Sequence, residues 1–204
     1  MRVITTFALI LLIGLNPPAV ADLFDDGVEA YKNGNYQKAF LLMQVYAKRG
    51  YGPAQGNIGM MYYHGQFVPQ DYSKSAEWHH RAAEKGHVHS QAMLGSMYLL
   101  GEGVVQNYSK AEKWSSYAAQ KGNAESLELL GSMYQIGAGV EKSLPTAYIL
   151  YSLSVHHGNE HAIEYRDRVL AELPSEQINE AQRLASEWQV GTPLPRPENM
   201  RSRR

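Results

Sequence analysis

The chain repeats itself at a shift of thirty-six residues, and this period constrains its fold more than any other feature. "LGSMYLLGEGV" at 94–104 returns as "LGSMYQIGAGV" at 130–140. Three consecutive units follow, 51–86, 87–122 and 123–158, ending in Gly86, Gly122 and Gly158. Matched columns hold Gly59, Gly95 and Gly131; Met61, Met97 and Met133; Tyr62, Tyr98 and Tyr134; Gly65, Gly101 and Gly137; and Val68, Val104 and Val140. A unit of this size cannot bury its apolar face alone, so neighbouring units stack and share one continuous core.

Each unit reads as two helices. In the first, Ala54, Ile58 and Tyr62 recur at spacing four and form one apolar face. Gly65 ends that helix, because glycine takes the left-handed C′ conformation at little cost. Val68 is an apolar plug in the loop, and Asp71, matched by Asn107 and Ser143, is an N-cap for the second helix. The inner face of that helix carries Ser75, Trp78, Ala82 and Ala83, matched by Ala111, Trp114, Ala118 and Ala119 in the next unit. Glycine in mid-helix costs about 1 kcal/mol against alanine. Its return at 59, 95 and 131 therefore predicts a close helix–helix approach, with the tyrosine three residues on filling the space beside it. The expected class is all-α, a right-handed α-solenoid of antiparallel helix pairs.

The units "AQGNIGMMYYHGQFVPQDYSKSAEWHHRAAEKG", "SQAMLGSMYLLGEGVVQNYSKAEKWSSYAAQKG" and "SLELLGSMYQIGAGVEKSLPTAYILYSLSVHHG" resemble the Sel1-like repeat, a relative of the tetratricopeptide repeat. Upstream, "GVEAYKNGNYQKAFLLMQVYAKRG" is similar to a plain tetratricopeptide-type unit, with Gly34, Tyr36 and Ala39 carrying the likeness. Downstream, "RDRVLAELPSEQINEAQRLASEW" resembles the closing helices of exported proteobacterial members. The third unit departs from the pattern at Leu150, where the others have Trp78 and Trp114, and at Ser154-Val155, which replace the paired alanines. Different packing onto the terminal helices is expected there. The expected organisation is a leader at 1–21, a helix pair at 22–50, the three repeats, capping helices at 159–190 with Ser175 as an N-cap, and a disordered basic tail at 191–204.

Arg2, the apolar run "VITTFALILLIGL", Pro17-Pro18 and the small residues "AVA" at 19–21 have the form of a cleavable export signal, with cleavage expected after Ala21. The run is shorter than the ~20 apolar residues of a spanning helix. The expectation is a periplasmic or secreted protein with no membrane insertion after cleavage. The chain has no cysteine, which excludes thiol catalysis, disulfides and cysteine zinc sites. A net charge of −1 gives no electrostatic reason to expect nucleic acid.

Catalytic signatures are missing from the sequence. The "GSM" at 95–97 and 131–133 is a packing position rather than a nucleophile elbow, and Gly101-Glu102-Gly103 lacks the lysine of a phosphate loop. Asn107 heads a glycosylation sequon, "NYS", but occupies the helix-cap column. The eight histidines include His79-His80, His87, His89, His156-His157 and His161. Adjacent histidines point about 100° apart on a helix, and Gly158 separates His157 from His161, so these are read as exposed helix residues rather than metal ligands. The expectation is no enzyme, no cofactor and no metal site.

Surface remains. At 100° per residue, the face opposite Ala54, Ile58 and Tyr62 holds Pro53, Gly56, Met60, Tyr63 and His64. Its counterparts include His89, Ser96, Leu99 and Leu100 in the second unit, and Glu125, Glu128, Gln135 and Ile136 in the third. The resemblance implies that this face lines a concave groove. Met60, Tyr63, Leu99, Leu100 and Ile136 would form an apolar strip there, suited to a protein segment laid along it. The expected function is an interaction adaptor of the bacterial envelope, monomeric rather than oligomeric. The alternative is a cell-wall protein binding or hydrolysing peptidoglycan or β-lactams, for which Glu125 and Glu128 are the candidate acids. Cysteine-rich family members associated with β-lactams carry cysteine pairs that are absent here.

Overall fold

The computed structural model describes residues 17–197. Its helices are α1 (Pro17–Lys32), α2 (Tyr36–Lys48), α3 (Gly52–His64), α4 (Tyr72–Ala83), α5 (Val88–Leu100), α6 (Tyr108–Ala119), α7 (Ala124–Ile136), α8 (Leu144–His156), α9 (Ala162–Glu172) and α10 (Ser175–Glu187). There is no strand among the described residues. Each helix packs on the next from α1 through α9, and α10 returns to α8. The result is the all-helical stack of pairs that the period requires. Most of the expected leader lies outside the described residues.

The loop chemistry is the same in every repeat. Gly65, Gly101 and Gly137 close the first helices in the left-handed region, and each donates its N–H to the methionine carbonyl four residues back. The second helices open on Asp71, Asn107 and Ser143, whose side chains accept from the backbone N–H groups of Lys74, Lys110 and Thr146. Replacing Asn107 with alanine leaves that N–H without its side-chain acceptor. A loss of about 1 kcal/mol is expected, read as a shift of the urea midpoint.

The glycine column brings the paired helices together. A Cβ at Gly59 would stand 2.9 Å from His79 Nε2, one at Gly95 would stand 2.1 Å from Ser115 Oγ, and one at Gly131 would stand 2.8 Å from the Tyr151 ring. His79, Ser115 and Tyr151 are themselves thirty-six residues apart. Gly27 and Met43 make a looser version of the same contact in the N-terminal pair, at 3.2 Å. That pair therefore shares the helix-crossing geometry of the repeats.

Burial divides the core in two. One cluster joins α1, α2 and α3 through Ala39, Phe40, Met43, Ala47, Ala54, Ile58 and Met61. The larger one runs from Ala83 and Leu94 through Leu127, Leu130 and Leu150 to Ala181 and Leu194. Polar residues are buried near the change-over, among them Ser75, His79, Ser90 and Gln91.

Four expectations need correction. Trp78 is only half-buried, with the Arg81 guanidinium 4.7 Å over its ring, whereas Trp114 is buried. Ser175 is the first residue of α10 and not its cap; Pro174 precedes the helix, and no side chain caps it. His79 is fully buried, because its column faces the glycine of the paired helix. Residues 191–197 are not a free tail: Leu194 is buried in the main core, Gly191 donates its N–H to the Gln120 carbonyl at 2.6 Å, and Arg196 pairs with Glu112 at 3.1 Å. Prolines at 193 and 195 fix the backbone φ on either side of the seated leucine. The remainder of the expected tail lies outside the described residues.

The third repeat differs as its sequence requires. Leu150 is 1% exposed, and Ser154 Oγ donates to the Ala124 carbonyl at 2.7 Å while accepting from Asn159 Nδ2 at 3.1 Å. With α9 and α10 both on it, α8 buries Thr146 through Tyr151 without a break.

Candidate functional site

The first helices of the repeats, α3, α5 and α7, each keep one partly open face. Reading down it gives Asn57, Met60 and His64; Met93, Ser96 and Leu100; and Leu129, Ser132 and Ile136, all half-buried or exposed. The spacing of three then four keeps each trio on one side of its helix. Three of these rows end in His64, Leu100 and Ile136, each the last helical residue before the left-handed glycine. Leu100 is 63% exposed and Ile136 is 73% exposed.

The side chains expected to line the groove therefore separate into two groups. Met60, His64, Ser96, Leu100 and Ile136 lie on this face, and Glu125 is exposed at its end, where its carboxylate accepts from Asn123 Nδ2 at 2.9 Å. The others are tied into the stack. Tyr63 donates its hydroxyl to Glu102 Oε2 at 2.8 Å, across to the next repeat. That hydrogen bond, with burial and the carboxylate charge behind it, pushes the phenol up to about 12. Its ring also meets Tyr72 edge-on at 5.0 Å. Leu99, like Leu129, is half-buried and packs against the main core. Gln135 accepts from the Tyr151 hydroxyl at 2.8 Å, and Glu128 accepts from Asn159 Nδ2 in the turn before α9. Gly56, expected on the open face, is buried; a Cβ there would stand 2.6 Å from the His87 ring.

Sequence reasoning missed Asn57, Met93, Leu129 and Ser132. The signal was available: 57, 93 and 129 form a column of the repeat, and 57 and 93 lie three residues before Met60 and Ser96, which were already chosen. Gln55 and Gln91 border this face on its inner side. Both are buried, donating Nε2 to the Ala47 and Ala83 carbonyls at 3.1 Å.

Beyond Glu125 lies a pocket of about 380 Å³, lined by Ala124, Glu125, His157, Gly158, Asn159, Glu160 and His161. Its walls carry two carboxylates and two imidazoles. Burial pushes His157 down from its ordinary value, helped by its neighbour His156. Among the described residues no three His, Asp or Glu side chains come together as a metal site.

The histidines of the first two repeats form a buried chain. His79 Nδ1 and His87 Nδ1 both reach Ser90 Oγ, at 3.0 and 2.8 Å. Burial, with smaller contributions from His89 and His87, pushes His79 down to about 3. His87 is pushed down chiefly by burial, then by His89. Ser90 and His79 are fully buried, and His87 at the end of the chain is half-buried. Its role is packing.

Comparison with known proteins agrees with this geometry. The Sel1 repeat model matches residues 52–87, 88–123 and 124–159. A solved structure titled as c5321, a protective antigen present in uropathogenic Escherichia coli strains displaying an SLR fold, is 34% identical with a TM-score of 0.66. The match covers 70% of this chain and 32% of that one. A Sel1 repeat protein from Oxalobacter formigenes is 29% identical with a TM-score of 0.65, over 68% of this chain and 57% of that one. The DAP3-binding cell death enhancer 1 of Rattus norvegicus is 45% identical over 49 residues, 24% of this chain and 10% of that protein, and the Mus musculus protein matches equally. The chain thus spans about a third of the uropathogenic antigen and a tenth of the mammalian proteins. Sel1 repeat proteins generally mediate protein–protein interaction. With three repeats matched over more than half of its 204 residues, on helices that stack as that repeat stacks, this chain belongs to the Sel1 repeat family.

Proposed function

We propose that this protein is an interaction adaptor of the bacterial envelope, binding a segment of a partner protein along the open face of α3, α5 and α7. The observation that carries the reading is the exposure of Leu100 and Ile136 at matched positions of successive repeats. Large apolar side chains held on a rigid, repeating scaffold are anchors for another chain's apolar groups. Ser96 and Ser132, small residues one turn before them, leave room for that chain's backbone. The sequence of the first twenty-one residues supports an envelope location. The face has no acid–base pair to do chemistry: Glu128 is held by Asn159, and Glu125 lies on the same helix.

The test uses Leu100→Glu with Ile136→Glu. Tyr63 and Leu99 are unsuitable, because changing them disturbs the stack. Surface changes of this kind stay within about 0.5 kcal/mol, so the Tm should move by no more than about 2 °C. A photo-crosslinker at Ser96 in living cells should trap one protein in the wild type and none in the double variant. Mass spectrometry of the adduct should also place the mature N-terminus at Asp22. Unchanged crosslinking in the double variant would show that this face is not the binding surface.

A further inference from the structure

A second surface, on the α6 side of the stack, already holds an extended segment. After α10 the chain turns back and crosses onto α6. Gly191 donates its N–H to the Gln120 carbonyl at 2.6 Å, at the C-terminal end of α6, and Arg196 reaches Glu112 at 3.1 Å, near its start. Positions 112, 116 and 120 are successive turns of one stripe, and Ser116 Oγ donates to the same Glu112 carboxylate at 3.1 Å, which steadies it for the guanidinium. The stripe spans about 12 Å. After a turn at 189–192, in which the Thr192 N–H and hydroxyl both donate to the Gln189 carbonyl, residues 193–196 run antiparallel to the helix. Leu194, between Pro193 and Pro195, is its buried anchor, while Val190 stays exposed beside Gly122, its Cγ2 3.3 Å from where a Cβ would be.

We propose that the groove along α6 is a docking site for an extended protein segment bearing an apolar side chain between two prolines and an arginine two residues on, now filled by the chain's own residues 190–196. The groove offers three recognition elements: an apolar socket for the leucine, a carboxylate for the guanidinium and a helix C-terminal carbonyl for a backbone N–H. The present occupant is held lightly. Its ion pair stands partly in water, with the two side chains 44% and 21% exposed, and such pairs contribute little. The indole N–H of Trp188, at the start of the crossing, is buried with no acceptor, which counts against the closed arrangement. One backbone hydrogen bond and one leucine remain to oppose the entropy regained on release. A partner segment of the same pattern can therefore exchange with it. This surface is separate from the α3–α5–α7 face, so the two readings stand or fall independently.

The test uses the full chain and a fluorescent peptide with the sequence of residues 189–197, QVGTPLPRP. Leu194→Asp should free the groove, and the variant should bind the peptide at least tenfold more tightly than wild type. Adding Glu112→Arg should abolish that gain, and a peptide with glutamate in place of its arginine should restore it. Binding by Leu194→Asp no tighter than by wild type would overturn the proposal. In the wild type, hydrogen exchange reads the same equilibrium without a substitution. The Gly191 amide should exchange at least a hundredfold faster than Leu130 in α7, and faster still with excess peptide. Exchange of Gly191 in step with Leu130 would mean that the segment never leaves. A concentration-dependent dimer with exchanged C-terminal segments would assign the groove to a second copy instead, which also overturns it.

Discussion

Valine at Gly131 is expected to cost about 3 kcal/mol of stability and to lower the Tm by roughly 6–12 °C. The Cβ alone would stand 2.8 Å from the Tyr151 ring, and Tyr151 cannot retreat: it is 1% exposed, its hydroxyl donates to Gln135, and its ring stacks on Tyr165 at 5.6 Å. Valine gains less in helix propensity than alanine would, so little offsets the strain. The same column supplies a control. At Gly95 the obstacle is Ser115 Oγ, at 2.1 Å, and this hydroxyl has no hydrogen-bond partner to lose. Rotating it clears most of the clash, leaving Ser115 Cβ and N at 3.3 Å. Gly95→Ala should therefore stay within about 1 kcal/mol of wild type, its helix-propensity gain balancing a small shift. Thermal melts of the two variants side by side decide the matter. Equal losses would mean that the glycines serve something other than this crossing.

Acidification from pH 7 to pH 5 is expected to remove about 2 kcal/mol of stability through His79 alone. The ring is buried neutral, and burial pushes it down to about 3 from an ordinary 6.5. The unfolded chain then binds a proton that the folded chain refuses. The stabilisation is complete above about 6.5 and is lost progressively as pH falls through the window from 6.5 to 3. His80, His87 and His157 are pushed down too, each chiefly by burial, and act in the same direction. His79→Met separates the contributions. Methionine already fills this column at Met43, against Gly27, and Ser90 keeps His87 as a partner when the imidazole is gone. Urea midpoints at pH 7 and 5 should fall clearly for the wild type and much less for the variant. A variant that loses as much as the wild type would place the acid sensitivity elsewhere.

Much of the fold was legible before any coordinates. The helix ends were written in residue types with one strong local preference each, glycine at the left-handed position and Asp, Asn or Ser at the cap, repeated until chance was excluded. The loop valines and the crossing glycines followed from the same columns. The face of α3, α5 and α7 was only half legible. The amides of Gln55 and Gln91 satisfy carbonyls inside the stack, and a polar side chain with a buried partner looks the same in sequence as one in water. Tyr63, Glu128 and Gln135 lie near the right face, but their partners Glu102, Asn159 and Tyr151 are 39, 31 and 16 residues away, and no local pattern announces those bonds.

The C-terminal segment is the sharper lesson. Prolines at 193, 195 and 197 and four nearby arginines read as chain with nothing to bury. In isolation it would have nothing to bury, because the socket for Leu194 is made by other elements of the stack.

By itself, the amino-acid sequence determined the period, the helix pairs, their caps and the sites where they cross, since each depends on neighbours a few residues away or on a column that recurs. The tertiary structure alone decided which polar groups are buried, which candidate residues remain open to a partner, and where the last residues lie. Those outcomes depend on surfaces that exist only after distant helices have met, and so no single stretch of chain encodes them.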